Sequence, residues 1–466
     1  MKNSERPLRG LTNGPIAPTL IRFALPLLVT NLLHTISGTW NAIWVSHVLG
    51  PGDLVAVVNA NVLLSILMGS ITGFGLAAGV AVGQCVGAED FKMARRIVGT
   101  AISFAIGGGI IIGGIGLFGV QAIVDMLQMP AEARDHAITY FRIVCLSMPT
   151  LFFFVFTMMM LRSSGDARTP FIFNMIWIGL GLVLTPVLLT GAFGLPRLGI
   201  AGAALSGWIA VTITLIAAII YVYLKDVPLV LRGRELRNLR PDPKILAMLA
   251  RRGIPTAAET FIVQGSYFVL LSLVNAYGVM TAAGYSVAAQ LWGYVQMPAF
   301  AIAASMSAMA AQNIGAGQWD RVNKIALRGC ALSITITAGM AFLVYALGDA
   351  PLRLFLPEGG EPLQIAKAIN NIVIWNWPIL AITFGLFAVV RANGVMLPPA
   401  IIFAVTLWGL RLPFANMLQP VLGSAAIWWS FPVGTFACAA LAFAYYRWSG
   451  WRRHAPMTSV LKETGT

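Results

Sequence analysis

GQCVGAEDFKMARRI (83–97) and AQNIGAGQWDRVNKI (311–325) are two versions of one phrase. Each runs from a Gln through a Gly-Ala pair to acidic or amide residues, an aromatic and basic residues. Gln84 and Gln312 stand 228 residues apart, about half of the 466-residue chain, and both copies sit between long apolar runs. Other anchors recur at nearly the same offset. Leu25-Pro26 pairs with Ile254-Pro255, and Gly50 with Gly278. LRSSGDARTP (161–170) pairs with VRANGVMLPP (390–399), aligning Arg162 with Arg391, Gly165 with Gly394 and Pro170 with Pro399. The chain is therefore read as a duplication. The duplicated phrase itself is read as a positioning loop: its Gly-Ala permits a tight turn and its basic residues keep it in the cytosol.

Composition says what each half contains. Hydrophobic residues make up 58% and charged residues only 10%, with mean hydropathy +0.80, whereas a soluble protein carries about a quarter charged residues. Such a chain cannot face water over most of its surface, so its solvent is mainly lipid. Crossing the hydrocarbon core takes about 20 apolar residues. Twelve segments qualify, roughly 16–44, 54–82, 95–122, 134–161, 170–192, 199–224, 250–277, 283–310, 325–348, 365–390, 398–419 and 424–447. None alternates with period two, which argues against a β-barrel. The longest polar interruption, KDVPLVLRGRELRNLRPDPK (225–244), follows the sixth.

The expected fold is thus an all-α integral membrane protein with twelve transmembrane helices in two six-helix bundles. An even number of spans per half gives both bundles the same orientation, so they are related by a pseudo-two-fold axis along the membrane normal. The expected division is an N-terminal bundle (1–224), a cytoplasmic basic linker (225–249), a C-terminal bundle (250–448) and a cytoplasmic tail (449–466).

The net charge of +14 does not indicate nucleic acid, because no compact polar domain interleaves basic and aromatic residues. All Lys and Arg except Arg134, Arg142, Arg197, Arg353, Lys367 and Arg411 fall at the termini or in alternate loops. That bias places both termini in the cytoplasm of a multi-pass plasma membrane protein. Cys85, Cys145, Cys330 and Cys438 have unrelated spacings and no Cys/His cluster, so neither a metal nor a disulfide framework is implied. The run IGGGIIIGGIG (106–116) has no following Lys-Ser/Thr, so it is read as close helix packing rather than a phosphate loop. No catalytic set appears, no cofactor is implied, and an enzyme is not expected. The apolar run from Ile16 is too long for a signal-peptide core and reads as a retained helix.

Several stretches together resemble the multidrug and toxic compound extrusion (MATE) transporters. They are FALPLLVTNLLHTISGTWNAIWVSHVLGPGDLVAV (23–57), the phrase after span 2, LRSSGDARTP, LGIAGAALSGWIA (198–210) and the phrase after span 8. The resemblance covers nearly the whole chain. It implies a secondary antiporter that exports organic, often cationic, compounds while H⁺ or Na⁺ enters, with the two halves rocking around a central cavity. Many bacterial and archaeal members carry an acid in span 1 and another in span 5. Here GTWNAIWVS (38–46) places Asn41 at the first position and LTPV (184–187) places Thr185 at the second. Neither side chain titrates, though both can hydrogen-bond in a polar pocket.

The coupling group must then lie elsewhere. Glu259, in PTAAETFIVQGSYF (255–268), is the one acid deep within an apolar segment, and an ionisable residue there is a functional candidate by default. It could bind a proton or a cation. It could instead sit near the cytoplasmic mouth, satisfied by Arg251, Arg252 or a helix N-terminus. Tyr267 shares its helix face, and Gln264 is rotated away. His34 lies two turns before Asn41 on one face of span 1 and is either a second coupling group or a hydrogen-bonded packing residue. Trp40, Asn41, Asn174, Thr185, Gln264, Tyr267 and Asn376 are candidates to line a cavity, the amides because they would be unsatisfied against lipid. The Trp40/Trp44 pair suits flat organic cations. The expected partners are a small organic substrate, H⁺ or Na⁺, and membrane lipid, with no nucleic acid, and the transporter is expected to work as a monomer. The alternative is a flippase for lipid-linked oligosaccharide or another lipid; a lipid-linked sugar would need a strongly cationic cavity to hold its pyrophosphate.

Overall fold

The computed structural model describes residues 11–126, 131–194, 196–356 and 360–457. Residues 1–10 and 458–466, which hold part of the basic excess at the termini, lie outside the described residues. Among the described residues every long element is helical. The elements are α1 (Ile16–Leu49), α2 (Pro51–Gly87), α3 (Phe91–Met126), α4 (Ala131–Ser163), α5 (Arg168–Thr190), α6 (Gly199–Leu224), α7 (Pro243–Asn275), α8 (Val279–Gly315) and α9 (Trp319–Ala346). After these come the short α10 (Ala350–Arg353), α11 (Gly360–Val373), α12 (Asn376–Ala392), α13 (Leu397–Ala404), a π-helical turn Val405–Arg411, α14 (Leu412–Leu422) and α15 (Ala425–Trp448). Eleven spans are single stretches, and α11 with α12 supplies the twelfth as a pair bent by 47°.

That bend was not expected from an apolar run read as one span, 365–390. Pro378 explains it: proline has no N–H to donate to the carbonyl four residues back, at Ile374, and its ring crowds that carbonyl. Helix α11 therefore closes with Ile374 N–H on the Asn370 carbonyl at 2.9 Å, and α12 restarts at Asn376. Span 7 likewise starts earlier than its apolar run. Asp242 accepts the backbone N–H of Lys244 at 2.9 Å and of Ile245 at 3.4 Å, capping a helix whose first residue, Pro243, needs no donor.

The chain forms two compact units. One takes Val29–Arg251. The other takes Leu11–Leu28 together with the chain from Arg252. Helices α1 and α7 are thus each divided between units near a proline, Pro26 and Pro255.

Within the first unit α4 is central, packing on α2, α3 and α6. Its core joins Val45, Val57, Phe141, Leu189 and Ile200 in one cluster and Phe154, Met158, Phe173 and Leu215 in another. Within the second unit α12 is central, against α8, α9 and α15, over a core of Trp292, Trp377, Phe431 and Ile427. Large apolar residues such as Phe118, 91% exposed, and Leu224, 79% exposed, face outward, as lipid-facing side chains do.

The recurring glycines are backbone requirements. Gly50 (φ 100°) and Gly278 (φ 95°) precede α2 and α8, and Gly165 (φ 97°) and Gly394 (φ 80°) end the LRSSG and VRANG turns. These conformations suit a residue without a Cβ. Each copy of the opening phrase also holds a chain segment in place. Arg95 pairs with Glu235 at 2.5 Å and donates to the Pro228 carbonyl at 2.8 Å, and Arg96 pairs with Asp242 at 2.5 Å. In the other copy, fully buried Gln312 accepts the Leu11 N–H at 2.9 Å, Asn313 donates to the Leu11 carbonyl at 3.1 Å, and Arg321 donates to the Gly14 carbonyl at 2.8 Å.

In the run 106–116, Gly109, Gly113 and Gly116 meet α4, whereas Gly107, Gly108 and Gly114 have nothing nearby. A Cβ at Gly109 would lie 2.5 Å from Pro149 Cα, and one at Gly113 would overlap the Cys145 carbonyl. Gly113→Ala should therefore destabilise the first unit by about 1–3 kcal/mol, while Gly114→Ala should be neutral or stabilising. Thermal unfolding in detergent measures the difference; equal midpoints would refute the close packing.

Candidate functional site

Two groups of side chains stand out, one in each unit. The first lines a half-open cavity of about 260 Å³ between helices of the first unit. His34, Trp40 and Asn41 reach it from α1, Thr185 from α5, Tyr140 from α4 and Ser206 from α6. The seven-residue spacing of His34 and Asn41 does bring both to one wall, since two helical turns return to the same face. The ring of His34 sits 3.4 Å from Asn174 Oδ1, and Asn174 donates in turn to the Pro170 carbonyl at 2.6 Å. Trp177 closes edge-on over His34 at 5.0 Å. Asn174 is thus a buried support behind His34 rather than part of the lining.

Trp40 donates its indole N–H to the Leu182 carbonyl at 3.1 Å and packs edge-on against Trp44 at 5.9 Å. Thr185 is buried and shares a hydrogen bond with Ser206 at 2.9 Å, so its hydroxyl is already engaged. Among the described residues no carboxylate lines this cavity. Arg162 is a charge that acts on His34. The described lining is therefore polar and aromatic, without a negative charge.

The second group lies in the other unit. Glu259 of α7 is held by Arg391, in the last turn of α12. Arg391 Nη2 donates to Oε1 at 2.6 Å and to Oε2 at 2.8 Å. The two side chains are 13% and 16% exposed. Arg251 and Arg252 are not the partners; Arg252 donates to the Gly394 carbonyl at 2.5 Å. Arg391, assigned by sequence to a cytoplasmic loop, is an inward-facing residue of a span. The signal for this existed in the repeat, which aligns Arg391 with Arg162, but an offset does not reveal the partner. Cys438 feels the charge of Glu259 and the hydroxyls of Thr406 and Thr383.

Two turns along α7 from Glu259, Tyr267 lies under the guanidinium of Arg411, 5.3 Å from ring centroid to Cζ. Gln264 is exposed, and Asn376 is buried at the start of α12. None of the three lines the cavity of the first unit. Sequence reasoning passed over Arg411 as one of the scattered cations. It also passed over Asp53, a buried carboxylate at the start of α2 that meets His136 at 2.5 Å.

Twelve apolar spans in two units, with polar side chains turned into the interior of each, define a multi-pass membrane transporter. The MatE family model matches the chain twice, at 26–187 and 255–417, so the two matches start at Pro26 and Pro255. The chain belongs to the MATE family of transporters. It is 30% identical over 453 residues to the Probable multidrug resistance protein YoeA of Bacillus subtilis (strain 168), covering 96% of this chain and 97% of that one. It is 26% identical to the Probable multidrug resistance protein YpnP of the same organism, covering 95% and 97%. Among solved structures, one described as "Crystal structure of MATE in the bent conformation" superposes with a TM-score of 0.88 at 19% identity, covering 99% of both chains.

Proposed function

We propose that this transporter is a secondary active antiporter that exports organic compounds, flat cations among them, across the plasma membrane. An H⁺ or Na⁺ gradient drives it through alternating access, both termini are cytoplasmic, and one chain is the working unit. The family membership supports export of small molecules. The aromatic wall of the first unit's cavity, with Trp40, Tyr140, Trp177 and Trp208 in its lining, suits a flat cation, which binds the face of an indole.

The observation that carries the ion coupling is the Glu259–Arg391 pair. A carboxylate inside a span needs a counter-charge, and here that charge is a side chain that a proton or Na⁺ can replace. When Glu259 takes up a cation the pair is relieved, which alters the relative energies of two conformations as far as they differ in that contact. His34 is the second candidate, placed at the wall of the cavity itself.

Ethidium flux in proteoliposomes, with pH and Na⁺ gradients imposed separately, tests the reading. One gradient is expected to accelerate export severalfold and the other to have little effect. Ethidium flux indifferent to both gradients would defeat it.

A further inference from the structure

Arg411 is the most deeply placed cation whose charge nothing above explains. It ends the π-helical turn Val405–Arg411, well inside the 26-residue span Leu397–Leu422. Pro413 follows two residues later; its missing N–H and its ring favour a widened turn at Gly409. Such turns cluster at functional positions. The residue is only 3% exposed. Its guanidinium stacks on Phe431, 3.8 Å from Cζ to the ring centroid, and faces Tyr267 at 5.3 Å. Space for it is provided by Gly434, where a Cβ would come within 3.1 Å of Arg411 Cβ and 3.4 Å of its Cδ.

What this setting lacks is an anion. No salt bridge to Arg411 exists among the described residues, and Glu259 is committed to Arg391. Tyr267 contributes a side-chain hydrogen-bonding interaction, but Nε and Nη2 make no hydrogen bond. Stacking covers the face of a guanidinium, so Phe431 cannot satisfy donors that lie in its plane. Nε and Nη2 carry the two N–H bonds that point the same way along one edge of the fork. That edge matches the two oxygens of a carboxylate. A carboxylate gives each N–H its own oxygen, and one arginine balances a single negative charge, not two.

We propose that the Nε–Nη2 edge of Arg411 is the subsite that receives the carboxylate of a transported organic acid or zwitterion. The aromatic rings of Tyr267 and Phe431 against it would flank the body of such a substrate. This rests on the export reading above and adds the substrate class to it. Both donor atoms are closed off in the present conformation, so the subsite engages its ligand in another state of the alternating-access cycle.

The test uses two dyes that differ only at the carboxyl group: rhodamine 110, where it is free, and rhodamine 123, its methyl ester. Binding to the purified full-length chain is read by fluorescence anisotropy. Arg411→Gln is expected to weaken rhodamine 110 by at least about tenfold and rhodamine 123 by less than about twofold, with Arg411→Lys in between, because an ammonium keeps the charge but not the fork. Equal effects on both dyes, or none on either, overturn the proposal. Should Arg411→Gln not fold, the wild-type chain alone decides. Its unfolding midpoint is expected to rise with 4-phenylbenzoate and not with 4-phenylbenzamide, and equal shifts overturn the proposal. Gradient-driven export of rhodamine 123 by the wild type separates the two readings: if it persists without any carboxylate preference, only the subsite falls. If neither dye moves with any gradient, the antiporter reading falls.

Discussion

Replacing Glu259 by Gln is expected to reduce gradient-driven export to background and to destabilise the protein by about 3–5 kcal/mol. The two effects have different origins. Gln keeps the shape of the side chain but not its charge, so Arg391 is left as an uncompensated cation in a largely buried place. Its Nε already makes no hydrogen bond in the intact pair, so little else is present to stabilise the charge. The loss of coupling follows from the loss of the titrating and cation-binding group. A double variant separates them. Glu259→Gln with Arg391→Gln should recover most of the unfolding midpoint, since replacing both members of a buried pair is far less costly than removing one. It should not recover ion-driven transport. If Glu259→Gln alone transports with the wild-type ion dependence, Glu259 is not the coupling group, and His34 becomes the residue to substitute next.

The second large effect is expected at Trp451, three residues beyond the end of α15. Sequence reading assigns this residue to a cytoplasmic tail. In the structure it is fully buried, one of the largest side chains in the core. Its ring lies 6.2 Å from Trp319 of the repeated phrase and 5.4 Å from Tyr446. The Arg452 guanidinium sits 4.9 Å from the same ring. The Trp451 carbonyl accepts from Asn393 Nδ2 at 2.9 Å, and that amide also reaches the His454 carbonyl at 3.2 Å. Met457 then packs against Gly394, where a Cβ would lie 2.6 Å from Met457 Cγ. The segment therefore ties together both turns of the second unit that recur in the sequence.

Trp451→Ala should cost about 3–5 kcal/mol and lower the unfolding midpoint by about 10 °C. Trp451→Phe keeps most of the packing and loses the indole hydrogen bond to the Tyr446 carbonyl, 2.9 Å long, for about 1 kcal/mol. An alanine variant as stable as the wild type would show that the segment is not part of the second unit's core.

The candidate site was partly legible in the sequence. His34 and Asn41 could be placed on one wall because helical periodicity within a single span is a local property. Glu259 could be singled out because a carboxylate among apolar residues needs a reason wherever it occurs. The partners could not be found this way. Arg391 lies 132 residues from Glu259, and Asn174 lies 140 residues from His34. In a soluble helix the apolar stripe tells which face looks inward. A span in lipid is apolar on its outer face too, so that signal is weak, and Arg411, although it falls inside the segment 398–419, gave no sign of the aromatic rings around it.

By itself the sequence determined the number of spans, the duplication and the positions of its turns. Apolar length and glycine or proline punctuation act over a few residues, and lipid enforces them directly. Only the tertiary structure decided which charges are paired, where α11 and α12 bend, and that the residues after α15 belong to a core. Those outcomes depend on helices far apart in the chain coming within a few ångströms of each other, where desolvation makes each choice of partner matter.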